Sequence, residues 1–143
     1  MDGTLRSYEA VDTLGKTQVE LVIKVYDGAL ASFRAAQASY TDQQYQAGYE
    51  HLEKAKSFVV HLYTTLDLEQ GGEVAANLAK IYSYVVSRID AVEATKDLSE
   101  IDDIITVLTN LKSGWTELKQ QEAKSTLPVP TPPPAGGGFA TSG

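Results

Sequence analysis

The chain contains no cysteine. Disulfides, thiolate nucleophiles and thiolate metal sites are therefore excluded, and the compartment is left open on redox grounds. Basic residues are also scarce. With 12 Lys and Arg against 19 Asp and Glu, the formal net charge is -7. That balance argues against a nucleic-acid partner, whose binding draws on neutralised phosphates, and against an anionic membrane surface. No apolar run approaches the roughly 20 residues that cross a bilayer, and the opening MDGTLR has no basic stretch leading into an apolar one, so no membrane insertion is expected and the cytoplasm is the expected location. Methionine occurs once, as Met1, so the apolar content comes from aliphatic and aromatic side chains, including eight tyrosines.

At 143 residues and 43% hydrophobic content, the chain has room for one core. The core is organised around residues 17–38, TQVELVIKVYDGALASFRAAQA. Thr17 and Glu20 have capping-box spacing, and Val19, Val22, Ile23, Tyr26, Leu30 and Phe33 recur at helical steps on one face. Leu21 and Val25 fall on nearly the opposite side at 100° per residue, a second, narrower apolar strip that calls for a cover.

A second helix is expected over about residues 43–66, with Asp42 as its cap and a seam of Tyr45, Gly48, Leu52, Ala55, Val59, Leu62 and Leu66. The stretch LEQGG at 68–72 reads as a turn. A third helix from Glu73 to about Thr95 carries an inner face of Val74, Leu78, Ile81, Val85, Ile89 and Val92, with Tyr82 at the flank and Tyr84 about 200° away from it. Ser99 with Asp102 suggests a capping box for a fourth helix along Ile101, Ile104, Leu108, Leu111, Trp115 and Leu118. Short loops imply antiparallel neighbours. The expected architecture is all-α: residues 1–16 as an N-terminal cap segment, 17–124 as an antiparallel four-helix bundle, and 125–143 as a disordered Pro/Gly-rich tail.

Chemistry-bearing constellations are sparse. His51 and His61 are ten residues apart with Gly48 and Phe58 three before them, so the Glu-x-x-His pairs of di-iron bundles are missing, and no metal or cofactor is expected. Glu100, Asp102 and Asp103 have a sufficient reason in the helix dipole. Gly71-Gly72 lacks the Lys-Ser/Thr of a phosphate loop. The expectation is a binding protein rather than an enzyme. Tyrosine suits surfaces that are wet before a partner arrives and dry afterwards.

Several stretches together resemble the flagellin export chaperone family, FliS. They are Tyr8 twenty residues before Gly28, ELVIKVYDGAL at 20–30, GGEVAANL at 71–78, IYSYVVSRI at 81–89, and Asp97 with Trp115 eighteen residues beyond it. The chain departs from the family pattern at Gln18, where proline is frequent, and at Val92-Glu93, where Ala-Asn is common. The resemblance implies an antiparallel helical bundle that binds the C-terminal segment of flagellin in the cytoplasm, prevents premature polymerisation and delivers it to the flagellar export gate. It also implies an N-terminal segment that covers part of the binding surface, a role falling here to the region of Leu5 and Tyr8. The side chains expected to meet the client or the cap are Leu5, Tyr8, Val11, Leu21, Val25, Tyr26, Tyr82, Tyr84 and Val85. A homodimeric helical adaptor or structural protein, its interface formed by the Leu21 strip, is the alternative; a small helical enzyme or metal carrier is disfavoured by the missing ligand set.

Overall fold

A computed structural model describes residues 16–125 and contains four helices: α1 (Lys16–Thr41), α2 (Tyr45–Thr64), α3 (Leu68–Thr95) and α4 (Leu98–Ser125). The expected cap and tail segments lie outside the described residues. Residues Leu21–Gly114 form one compact unit; the start of α1 to Glu20 and α4 from Trp115 belong to another. In the smaller unit, Lys119 Nζ lies 3.9 Å from Glu20 Oε2. Val19 is buried there and Leu118 is exposed.

Within the larger unit the packing is read from side chains that meet. Gly28 of α1 lies against Phe58 of α2, and Gly48 of α2 against Tyr40 of α1, so these two helices run antiparallel. Asp27 pairs with Lys112 at 2.6 Å, and Gln37 donates to Asp102 at 2.6 Å, which sets α1 antiparallel to α4. Lys56 of α2 reaches Asp90 of α3 at 2.9 Å. Arg88 of α3 holds Glu100 of α4 by two hydrogen bonds of 3.0 and 2.7 Å. The fork of a guanidinium matches both carboxylate oxygens, so this pair fixes orientation as well as proximity.

The core follows the periodicity of the sequence closely in α2, where Gly48, Leu52, Ala55, Val59 and Leu62 are all buried. In α4, Ile101, Ile104 and Leu108 are buried. The inner face of α3 is displaced from the expected one. It consists of Ala75, Tyr82, Val85, Ile89 and Val92, whereas Val74 is 68% exposed. The physical reason is Tyr82, which enters the core because its hydroxyl finds a partner there in the hydroxyl of Tyr26. A buried phenol is tolerated only when its O–H is satisfied.

The ends of the helices also differ from expectation. Thr17 lies inside α1, which already includes Lys16, so it is not the cap. Asp42 sits in the turn rather than capping α2; Gln43 takes a left-handed φ of 61° and Gln44 occupies the cap position without a side-chain bond. The LEQGG stretch is helical from Leu68, capped by Asp67 accepting from the Gln70 amide at 3.0 Å, and the break comes only at Gly72 with φ 56° and ψ -132°. For α4 the capping carboxylate is Asp97, which accepts from the Ser99 amide at 2.9 Å and from its hydroxyl at 2.7 Å. These bonds hold the Asp97 carboxyl below its ordinary pKa.

Candidate partner-binding surface

Of the residues expected to meet a partner, Leu5, Tyr8 and Val11 lie outside the described residues. Leu21 and Val25 are on one flank of α1 together with Gly28. A Cβ on Gly28 would lie 2.7 Å from the Phe58 ring, so this flank faces α2. That accounts for part of the second strip: Val25 is half-buried. Leu21, two turns nearer the helix start than Gly28, remains 47% exposed.

Tyr26, Tyr82 and Val85 occupy the interior. The rings of Tyr26 and Tyr82 are 6.4 Å apart at 55°, a tilted aromatic pair that ties α1 to α3 across the core. Tyr84, by contrast, is 55% exposed on the outer face of α3. The two tyrosines of IYSYVVSRI thus divide between core and surface, as their 200° separation requires. The six described residues among the nine expected divide by depth. Leu21, Val25 and Tyr84 are accessible, and Tyr26, Tyr82 and Val85 lie beneath.

Two exposed apolar pairs on α2, Tyr45 with Tyr49 and Val60 with Tyr63, stand on either side of charged Lys56, and of the four only Tyr45 belongs to the expected seam. Tyr45, Tyr49, Val60 and Tyr63 are all more than 40% exposed and fall within a 60° sector of α2, beside the buried seam. The signal was present as spacings of four, eleven and three residues, but it was masked by the stronger three-four pattern next to it. Leu68 is exposed as well.

Between α2 and α3 lies a group of charges. Lys56 contacts Glu53 at 3.1 Å and Asp90 at 2.9 Å. Glu93 adjoins Glu53, and burial followed by the neighbouring Glu53 carboxyl pushes its pKa up to about 7. Its Oε2 atom is buried without a hydrogen-bond partner. The neighbouring Glu93 carboxyl, followed by Lys56, lowers the Glu53 pKa. Among the described residues there is no cluster of three or more His, Asp or Glu side chains placed to hold a metal ion. No helix of the described residues is long and apolar enough to cross a membrane.

Four packed helices with several large apolar side chains left exposed, and cross-helix ion pairs such as Lys56–Asp90 and Arg88–Glu100, define an all-α helical-bundle protein. The chain belongs to the FliS family of flagellar proteins, whose sequence profile matches residues 1–122. It is similar to the flagellar secretion chaperone FliS of Vibrio cholerae, with 25% identity over 82% of this chain and 90% of that protein. The FliS chaperone of Salmonella typhimurium is 28% identical over 69% of this chain and 74% of its own length. The FliSB chaperone of Pseudomonas aeruginosa is 37% identical over 43% and 49%. The family is one of flagellar secretion chaperones and not of enzymes.

Proposed function

We propose that this protein binds the C-terminal segment of flagellin in the bacterial cytoplasm, keeps it from polymerising early and delivers it to the flagellar export gate. The observation that carries the reading is the family match over residues 1–122. The exposed apolar positions support it physically. An unassembled amphipathic segment loses exposed apolar area when it docks on a bundle that already presents such area, at roughly 25 cal/mol per Å² removed from water.

We assign direct client contact to Leu21, Val25 and Tyr84, which are accessible. Tyr26, Tyr82 and Val85 act beneath them by holding α1 and α3 in place. The segment around Leu5, Tyr8 and Val11 acts as an internal stand-in for the client. If it competes, apparent client affinity is reduced by the fraction of molecules that are covered. A variant beginning at Gly15 therefore binds the flagellin C-terminal peptide more tightly than the full chain; equal or weaker binding rejects the cap. Light scattering of polymerising flagellin tests the wider reading. One equivalent of the protein suppresses the rise, and an unchanged rise contradicts it.

A further inference from the structure

The exposed apolar side chains of α2 have no role in the client surface described above, and they stand on either side of the charge group at the α2–α3 edge. Lys56 to Asp90 fixes the antiparallel register of the two helices. That register aligns Val60 with half-buried Val86 and Tyr63 with exposed Ser83 along the two helices. From Tyr49 to Tyr63 the flank runs about 21 Å at 1.5 Å per residue, about four helical turns, with Lys56 between its apolar ends. At its centre three carboxyl groups face one cation. Glu53, Asp90 and Glu93 gather around the cation Lys56, and one oxygen of Glu93 accepts no hydrogen bond. At the far end, Lys96 Nζ already lies 5.6 Å above the Tyr45 ring, a cation–aromatic contact available to other exposed rings of the flank.

We infer that the α2–α3 edge is a second docking surface, which receives an amphipathic helix of another protein whose apolar side packs on Tyr49, Val60 and Tyr63 and whose Lys or Arg residues meet Glu53, Asp90 and Glu93. Charge complementarity selects this occupant. An acidic helix would add to the three carboxylates, and a second copy of a chain carrying a net charge of -7 would bring the wrong sign. The groups facing Glu93 are Glu53 and Lys56 from α2, Asp90 from its own helix and Tyr40 from α1. An arriving cation displaces the proton that Glu93 keeps near neutrality, so binding tightens between pH 6 and pH 8.

The test titrates two labelled amphipathic peptides into the full chain, with the same leucine face and either lysine or glutamate at the rim. The lysine peptide binds at least tenfold more tightly. Val60→Ser with Tyr63→Ser, which changes no charge, weakens it at least fivefold, and Glu93→Gln removes the gain between pH 6 and pH 8. Equal affinity for the two peptides overturns the inference. So does full affinity in the serine variant, because attraction by net charge alone would survive that change. Circular dichroism and thermal unfolding establish that both variants remain folded; Val60 and Tyr63 are already exposed. Saturating flagellin C-terminal peptide leaves the lysine peptide bound, and displacement would overturn the assignment to a second partner. This inference stands or falls apart from the client reading, since neither probe peptide derives from flagellin.

Discussion

Glu93 shows how a single side chain sets a pH dependence. Burial pushes its pKa from the ordinary 4.5 up to about 7, so between these values the folded state holds more protons than the unfolded one. Stability from this group is fully present below about 4.5 and is lost as pH rises through about 7. Urea unfolding at pH 5 and pH 8 is expected to show the wild type losing more stability over that interval than Glu93→Gln; an equal change in both proteins contradicts the assignment. Gly48 offers a test of packing. A Cβ there would lie 2.7 to 2.9 Å from the ring of buried Tyr40, so Gly48→Val destabilises despite the removal of a helical glycine. The expected loss is ~1–3 kcal/mol by chemical denaturation. Residue by residue, the sequence distinguishes Tyr84 from Tyr82 by angle alone, but it does not say which goes inward. That depends on whether a hydroxyl partner is available, and Tyr26 supplies it from 56 residues away.

At the scale of elements, periodicity reveals the most where a helix has a single apolar seam. The buried face of α2 is readable from Gly48 to Leu62, where the three-four steps hold one register, but not at the ends of the expected seam, since Tyr45 is 46% exposed and Leu66 lies beyond the helix. In α3 two seams one residue apart compete, Val74-Ile81 against Ala75-Tyr82, and Tyr82 decides between them by entering the core. Capping is less legible, since Asp42, Asp67, Asp97 and Ser99 are all acceptable cap residues and the choice depends on where the preceding helix releases the chain. Lys96 ends α3 in the left-handed region at φ 59°, which leaves Asp97, one residue on, to cap α4. The Leu21–Val25 strip belongs here as well: α1 meets α2, α3 and α4, and a helix with three neighbours carries more apolar surface than one seam requires. Gly72 marks the break within α3. Open space surrounds its Cβ position, so Gly72→Ala introduces only backbone strain, from a φ of 56° with ψ -132°, and lowers stability by roughly 1–3 kcal/mol. A melting temperature equal to or above that of the wild type would contradict a structural requirement for glycine there.

The whole molecule joins an acidic exterior to a core held by cross-helix pairs, and it leaves apolar side chains at its surface. The function of that surface was legible chiefly through the family stretches, because periodicity locates apolar residues without identifying what covers them. The client reading therefore rests on a physical requirement: removing an exposed apolar contact must weaken flagellin binding without weakening the fold. Isothermal titration of the flagellin C-terminal segment into the full chain and into Leu21→Asp measures this most directly. One segment is expected to bind per chain, with affinity reduced about tenfold in the variant, equivalent to ~1.4 kcal/mol, while both proteins unfold at similar temperatures. No measurable binding by the wild type, or the same affinity in a folded Leu21→Asp, would contradict the account.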